Sequence, residues 1–193
     1  MNVTKKVVRY ALLTGLVLAP SSAMALVIDF ESMPAGELPS YTEQGVTFTA
    51  PGGPNVTATV FGNTPNGTKG IIDSTGFPWV PTRADILGGA IAVSVDIGDF
   101  DGDADDLFLQ AFSAGNLLLD VDLVTIPIPF VGMVTLSVAA PDIAYVIFGG
   151  VGVGGSSVYS DNFTWEPVPE PMTVALLGAG LAGLGLTRRR RIR

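Results

Sequence analysis

From residue 26 to residue 166 the chain alternates apolar and polar positions with a period close to two. The clearest stretch is 90–97, which places Ile91, Val93, Val95 and Ile97 on one face and Ala92, Ser94 and Asp96 on the other. Similar runs occupy 26–31, 45–50, 55–61, 107–113, 117–123, 132–138, 143–148 and 158–165. Turn-forming residues separate them: Pro51-Gly52-Gly53-Pro54, Asn66-Gly67, Gly88-Gly89, Gly115-Asn116 and the glycine-rich 149–155. Alternation bounded by Gly, Pro and Asn is the signature of short strands, and no part of this region repeats its apolar residues every 3.6 positions as a surface helix does. Pro127 and Pro129 remove two ladder donors, so 126–130 reads as a linker or an edge crossing rather than a central strand. The pattern predicts an all-β domain, a two-sheet antiparallel sandwich.

Both ends break the pattern. Lys5, Lys6 and Arg9 precede an apolar stretch, 10–19, and then small residues ending in Ala23-Met24-Ala25. That order predicts a signal peptide for the Sec route, cut by signal peptidase after Ala25. At the other end an apolar run, 172–186, is followed by Arg188, Arg189, Arg190, Arg191 and Arg193. Charges of this density resist crossing a bilayer and stop a segment on the cytoplasmic side. Fifteen helical residues reach about 22 Å, short against a hydrocarbon core of roughly 30 Å, although Thr187 and the arginine stems add length. Gly178, Gly180, Gly183 and Gly185 weaken such a helix further, as suits a temporary anchor.

Pro169-Glu170-Pro171, the apolar run and the arginine cluster together resemble the PEP-CTERM sorting signal. The resemblance implies an exosortase-type sorting protease as partner. It also implies anchoring in the inner membrane, then delivery to the cell surface or extracellular matrix after cleavage near Pro-Glu-Pro. The expected layout is a signal peptide at 1–25, a sandwich at 26–166, a spacer at 167–171, a transmembrane helix at 172–187 and a basic tail at 188–193.

Charge changes the picture once the ends are set aside. Of ten basic residues only Lys69 and Arg83 lie in 26–166, against 17 acidic ones, a net charge of −15. Such a domain repels nucleic acid and anionic lipid and attracts cations. The chain contains no cysteine and no histidine. Ser-His-Asp and Cys-His catalysis and a His-ligated metal are thereby excluded. A two-carboxylate glycoside hydrolase or lyase stays formally open, but the expectation is a protein that is not an enzyme.

Two acidic constellations suggest calcium. Asp96, Asp99, Asp101, Asp103, Asp105 and Asp106 crowd around Gly98 and Gly102 between two predicted strands. Calcium takes six to eight oxygens at flexible geometry, and spaced aspartates supply them. The same loop also reads as a solvated acidic hairpin. The second constellation follows from a resemblance. Residues 28–31 (Ile-Asp-Phe-Glu), 45–48 (Gly-Val-Thr-Phe) and 159–163 (Tyr-Ser-Asp-Asn-Phe) look like the ends of jelly-roll carbohydrate-binding modules. There the first and last strands pair, and acids from both ends hold a structural calcium. That implies a jelly-roll-like topology and a site at Glu31 and Asp161. Trp79 and Tyr41 are the loop aromatics expected to be able to contact a glycan. Asn55, Asn66 and Asn162 fit glycosylation sequons only by chance, and 149–155 lacks the Lys-Ser/Thr of a phosphate loop. The expected function is a structural or adhesive protein of the cell surface or exopolysaccharide matrix. The alternatives are a glycan-binding module with structural calcium and, behind it, a glycoside hydrolase or lyase.

Overall fold

A computed structural model describes residues 24–51, 56–60, 69–72, 80–99, 104–128, 132–152 and 158–169, with Gly178 and Gly180. The segments expected as signal peptide and membrane helix lie otherwise outside the described residues, as do Asp101, Asp103, Trp79, Glu170, Pro171 and Arg188 to Arg191. Among the described residues no helix is long and apolar enough to cross a membrane. The stretch Ala23–Pro169 forms one compact unit.

The unit is all-β and antiparallel. Its strands are β1 (Leu26–Ile28), β2 (Gly36–Leu38), β3 (Tyr41–Glu43), β4 (Val46–Thr49), β5 (Val56–Val60), β6 (Lys69–Ile72), β7 (Thr82–Asp99), β8 (Asp105–Phe112), β9 (Leu118–Ile126), β10 (Val134–Gly152) and β11 (Val158–Pro167). All belong to one hydrogen-bonded network. It makes a sandwich because its two longest strands bend and serve both layers. In β7 the bend is Gly88-Gly89, at φ 84° and 76°, values that glycine adopts without penalty. In β10 it falls at 139–143, where the register on β7 shifts and Asp142 takes φ 60°. The first layer runs β2-β5-β6-β11, then residues 90–99 of β7 and 134–143 of β10. The second runs β3-β4, residues 82–86 of β7, 145–152 of β10, then β8 and β9.

The alternation read from the sequence explains the core. Val93, Val95 and Ile97 are buried as expected, in one cluster with Leu107, Leu109, Leu136, Val138 and Val146, whereas Ile91, expected on the same face, is only half-buried and lies outside it. Four buried rings run through the middle: Phe30 to Phe48 at 5.1 Å, Phe48 to Phe163 at 5.2 Å and Phe163 to Phe148 at 6.0 Å between centroids. Aromatic pairs at such separations add to their area burial. Gly98 marks a tight crossing, because a Cβ there would stand 2.5 Å from the Gly132 carbonyl oxygen.

Three expectations about elements are corrected. Gly88-Gly89 is a bend inside one strand rather than a turn between two. The runs 132–138 and 143–148 are a single strand that continues through Pro141, and β10 extends to Gly152 into the expected glycine loop. Strands β2, β3 and β6 are too short, at three or four residues, to register as alternation. The Gly115-Asn116 turn is where it was expected, closed by Asn116 N–H to the Ser113 carbonyl at 3.0 Å.

Candidate functional site

Two places on the domain gather chemistry. The first is a junction on β11. β1 pairs with residues 163–165 of β11, and β6 pairs with 159–160. Asp161 and Asn162 fall where one partner has ended and the other begun. Across the sheet Asp161 stands in register with Asp96 of β7. The chain leaves β1 through Asp29, and Phe30 takes φ 56° to drop its ring into the core. Asp29 Oδ1 accepts the Glu31 N–H at 3.1 Å. Lys69 fastens the following segment: Nζ donates to the carbonyls of Glu31 at 2.7 Å and Met33 at 2.8 Å, and its N–H donates to Glu31 Oε1 at 3.1 Å.

Asp161 is fully buried. Its Oδ1 accepts the Asn162 N–H at 2.7 Å, while Oδ2 is buried without a hydrogen-bond partner. Burial pushes this carboxyl from 3.8 up to about 6; the Asn162 N–H opposes the rise, and Asp29, Asp96 and Glu31 add to it. Asp96 is better served. It accepts from Asn162 Nδ2 at 2.7 Å and from Thr135 Oγ1. The junction therefore carries one buried carboxylate oxygen lacking a donor, in a field made by other acids. Among the described residues no three Asp or Glu are grouped so as to hold a metal ion by themselves. A cation here would lean on Asp161, a second carboxylate and backbone or water oxygens.

The acidic run after β7 is divided by the strands. Asp99 closes β7 opposite Val158. Strand alternation sends Asp105 into the interior and Asp106 to the surface, where it accepts from Thr125 Oγ1 at 2.6 Å. The side chains of Asp105 and Asp106 thus face opposite ways and do not converge. Tyr41 is a packing residue: its ring lies 6.3 Å from Phe48 and 6.5 Å from Phe30, and its hydroxyl donates to Glu43. Burial and the Glu43 bond raise its hydroxyl above the usual range.

The second place is the outer face of the β3-β4-β7-β10-β8-β9 layer, which the sequence did not disclose. Register puts Leu118, Phe112, Tyr145 and Asp85 on one rung. Val121, Gln110, Ile147 and Arg83 form the next, and Leu123, Phe108 and Gly149 the third. Arg83 lies 3.6 Å over the Tyr145 ring and Phe112 stacks on that ring at 4.9 Å and 9°. The guanidinium is tied to Asp85, Nε to Oδ2 at 2.9 Å and Nη2 to Oδ1 at 2.6 Å, which raises its pKa further. Tyr145 donates to Asn116 Oδ1 at 3.0 Å. A third feature, a groove of about 410 Å³, crosses the other layer over Ser94, Ser137 and Thr164 between Ala25, Glu166 and Asp120.

Comparison with known proteins agrees with the sequence reading at both levels. Residues 167–191 match the PEP-CTERM protein-sorting motif. No curated protein matches the chain. Among solved structures, a DUF4465 family protein from Bacteroides caccae aligns with TM-score 0.51 at 11% identity, over 75% of this chain and all of that one. The arabinose-bound MgGH51 α-L-arabinofuranosidase aligns with TM-score 0.50 at 9% identity, over 76% of this chain but 27% of the enzyme. The CBM22-1 xylan-binding domain of Paenibacillus barcinonensis Xyn10C aligns with TM-score 0.49 at 9% identity, over 79% of this chain and all of that one. At these identities the likeness is one of fold, a β-sandwich of the jelly-roll kind. The chain carries the sorting signal of an exported surface protein.

Proposed function

We propose that the protein is a non-catalytic adhesive or structural component of the cell surface or exopolysaccharide matrix, anchored briefly in the inner membrane and released by an exosortase-type protease. The observation that carries the adhesive role is the outer face of the β9-bearing layer. Among the described residues it is a partly aromatic surface whose charges are Asp106 and the mutually paired Arg83 and Asp85, on a domain of net charge −15. Contiguous apolar surface on an exported domain is where contact is made. Fractionation tests the reading: the processed protein should stay with the polysaccharide, and its mass should end near Glu170 or Pro171. Free protein in the medium, or a released form still carrying Arg188 to Arg193, sinks it.

A second reading, a glycan-binding module with structural calcium, is favoured by one observation, the partnerless buried Oδ2 of Asp161. Asp161 and Glu31 supply hard oxygens suited to calcium, and Asp29 and Asp96 add negative charge nearby. A melt that responds to millimolar calcium but not to sodium chloride of equal ionic strength supports that site. An equal response to both salts removes it. The acidic run 99–106 stays a weaker candidate, because Asp105 and Asp106 diverge.

A further inference from the structure

We infer that the outer face of β8, β9 and the 145–152 part of β10 binds an uncharged, extended polysaccharide chain laid along the strands. The inference rests on the adhesive reading and names the ligand class of that surface.

The first support is an inverted strand. On β9 the two aspartates face the mouth of the sandwich. Asp120 Oδ2 accepts the Ala139 N–H at 2.9 Å and Asp122 Oδ2 accepts the Ser137 N–H at 2.8 Å. Three aliphatic residues face solvent instead, Leu118 at 48% exposed, Val121 at 42% and Leu123 at 66%, while Leu119, Val124 and Ile126 pack inward. A slip of one residue would reverse both sets. The carboxylates that cap the edge of β10 therefore also hold the apolar side chains outward.

The second support is charge. Among the described residues the ionised groups on this face are Asp106, bonded to Thr125, and the Arg83–Asp85 pair, which neutralises itself. Lys69, the other basic residue of 26–166, is engaged with the Glu31 and Met33 carbonyls. A polyanion would approach against the field of the whole domain and meet an already paired guanidinium. A polycation would find its attraction elsewhere, among the acids off this face. A neutral chain is indifferent to the field and loses little by leaving water here.

The third is size. The apolar rungs run from Leu118–Phe112 to Val151, three steps of about 7 Å, across three strands about 4.8 Å apart, a few hundred Å² in all. A stable protein partner, a second copy included, needs roughly 800 Å² on each side. A slender polymer fits what a protein does not. Gly149 stands opposite Phe108 and presents no side chain of its own to the ring. Gln110, between Phe108 and Phe112, offers an amide to sugar hydroxyls.

The test uses the full chain, expressed and processed in its host, in affinity electrophoresis. The neutral probes are dextran, laminarin and hydroxyethyl cellulose; the anionic probe is polygalacturonate. A neutral probe should retard the protein. Leu123→Ser, at an exposed position that folding does not need, should weaken this about five- to tenfold, and Phe108→Ala at least as much. Ser94→Leu, in the groove of the opposite layer, should change nothing. Retardation by polygalacturonate as strong as by the best neutral probe overturns the proposal. So does loss of binding with Ser94→Leu but not Leu123→Ser, or a dimer in sedimentation that Leu123→Ser dissociates. If matrix retention needs Leu123 and Phe108 but no neutral probe binds, the ligand class is wrong and the adhesive reading survives. If retention ignores both substitutions, the adhesive reading itself falls.

Discussion

Replacing Asp161 by Asn should stabilise the domain at neutral pH when divalent ions are absent. The carboxyl is fully buried, and its pKa lies at about 6 against an ordinary 3.8. A carboxyl raised in the folded state contributes stability that is fully present below pH 3.8 and lost as the pH climbs through 6. Above that window the gap corresponds to roughly 3 kcal/mol of lost stability. Asn keeps the acceptor for the Asn162 N–H and puts an amide donor where Oδ2 now lacks one, among Asp29, Asp96 and Glu31. The gain is at most that 3 kcal/mol, because a buried amide has its own desolvation cost. At about 2–4 °C per kcal/mol the melting temperature should rise by up to roughly 5–10 °C. Melts in EDTA at pH 4, 5, 6 and 7 should show the difference growing with pH and nearly absent at pH 4. If calcium binds here, as the second reading has it, an ion at a hundred times its Kd returns about 2.7 kcal/mol to wild type alone and should cancel most of the difference. A variant less stable than wild type at pH 7 in EDTA, or a difference independent of pH, refutes the electrostatic account.

Three further outcomes test other parts of the fold. Gly98→Ala should cost about 1–3 kcal/mol in urea unfolding, because the new methyl meets the Gly132 carbonyl at 2.5 Å and the strands must separate. Lys69→Met should cost about 1.5–3 kcal/mol for the lost ammonium bonds to Glu31 and Met33, and faster amide exchange at residues 29–35 would locate the loss. Arg83→Lys keeps the charge but not the planar fork on Asp85 or the stack on Tyr145. With the guanidinium a third exposed, a cost of no more than about 1 kcal/mol is expected by thermal melt.

The elements that the sequence revealed were those long enough to alternate and bounded by turn residues. Val93, Val95 and Ile97 announced their buried face because each met core, whereas Ile91, next to the bend, does not join it. The sorting motif at 167–191 was legible for a similar reason, since its signal is a local run of apolarity and charge. Glu31 and Asp161 were singled out by resemblance, but Asp96 and Asp29 were not placed with them. Their company is a matter of register between β7 and β11, which pair residues 65 positions apart in sequence. The Arg83–Tyr145–Phe112 stack escaped for the same reason: it spans three strands whose neighbours are set by two bends. One of those bends, Gly88-Gly89, reads locally as a turn. A glycine pair with positive φ permits both, and only pairing on either side decides.

β9 shows most clearly where local pattern stops being informative. Leu-Asp-Val-Asp-Leu at 119–123 alternates cleanly, so a strand is certain, but alternation does not say which face goes inward. Apolar burial argues for Val121 and Leu123 inside, worth about 1.5–3 kcal/mol each at full burial. The opposing term is the edge of β10, where the N–H groups of Ser137 and Ala139 lie beyond the reach of another strand's carbonyls. Left without acceptors in a half-buried mouth, each costs about 1–3 kcal/mol, and each bond to a carboxylate is itself worth about 1.5–3. The polar register thus wins or breaks even at the edge, while the aliphatic register would bury only part of two side chains in a mouth already closed by Leu119, Val124 and Ile126. Asp120→Ala with Asp122→Ala removes the polar term and leaves the apolar one. The double variant should then bury Val121 and Leu123 or fray β9, and in either case lose the exposed face. Hydrogen exchange at Ser137 and Ala139 reports the freed edge directly, and unchanged protection there would mean that something other than the two carboxylates holds the strand.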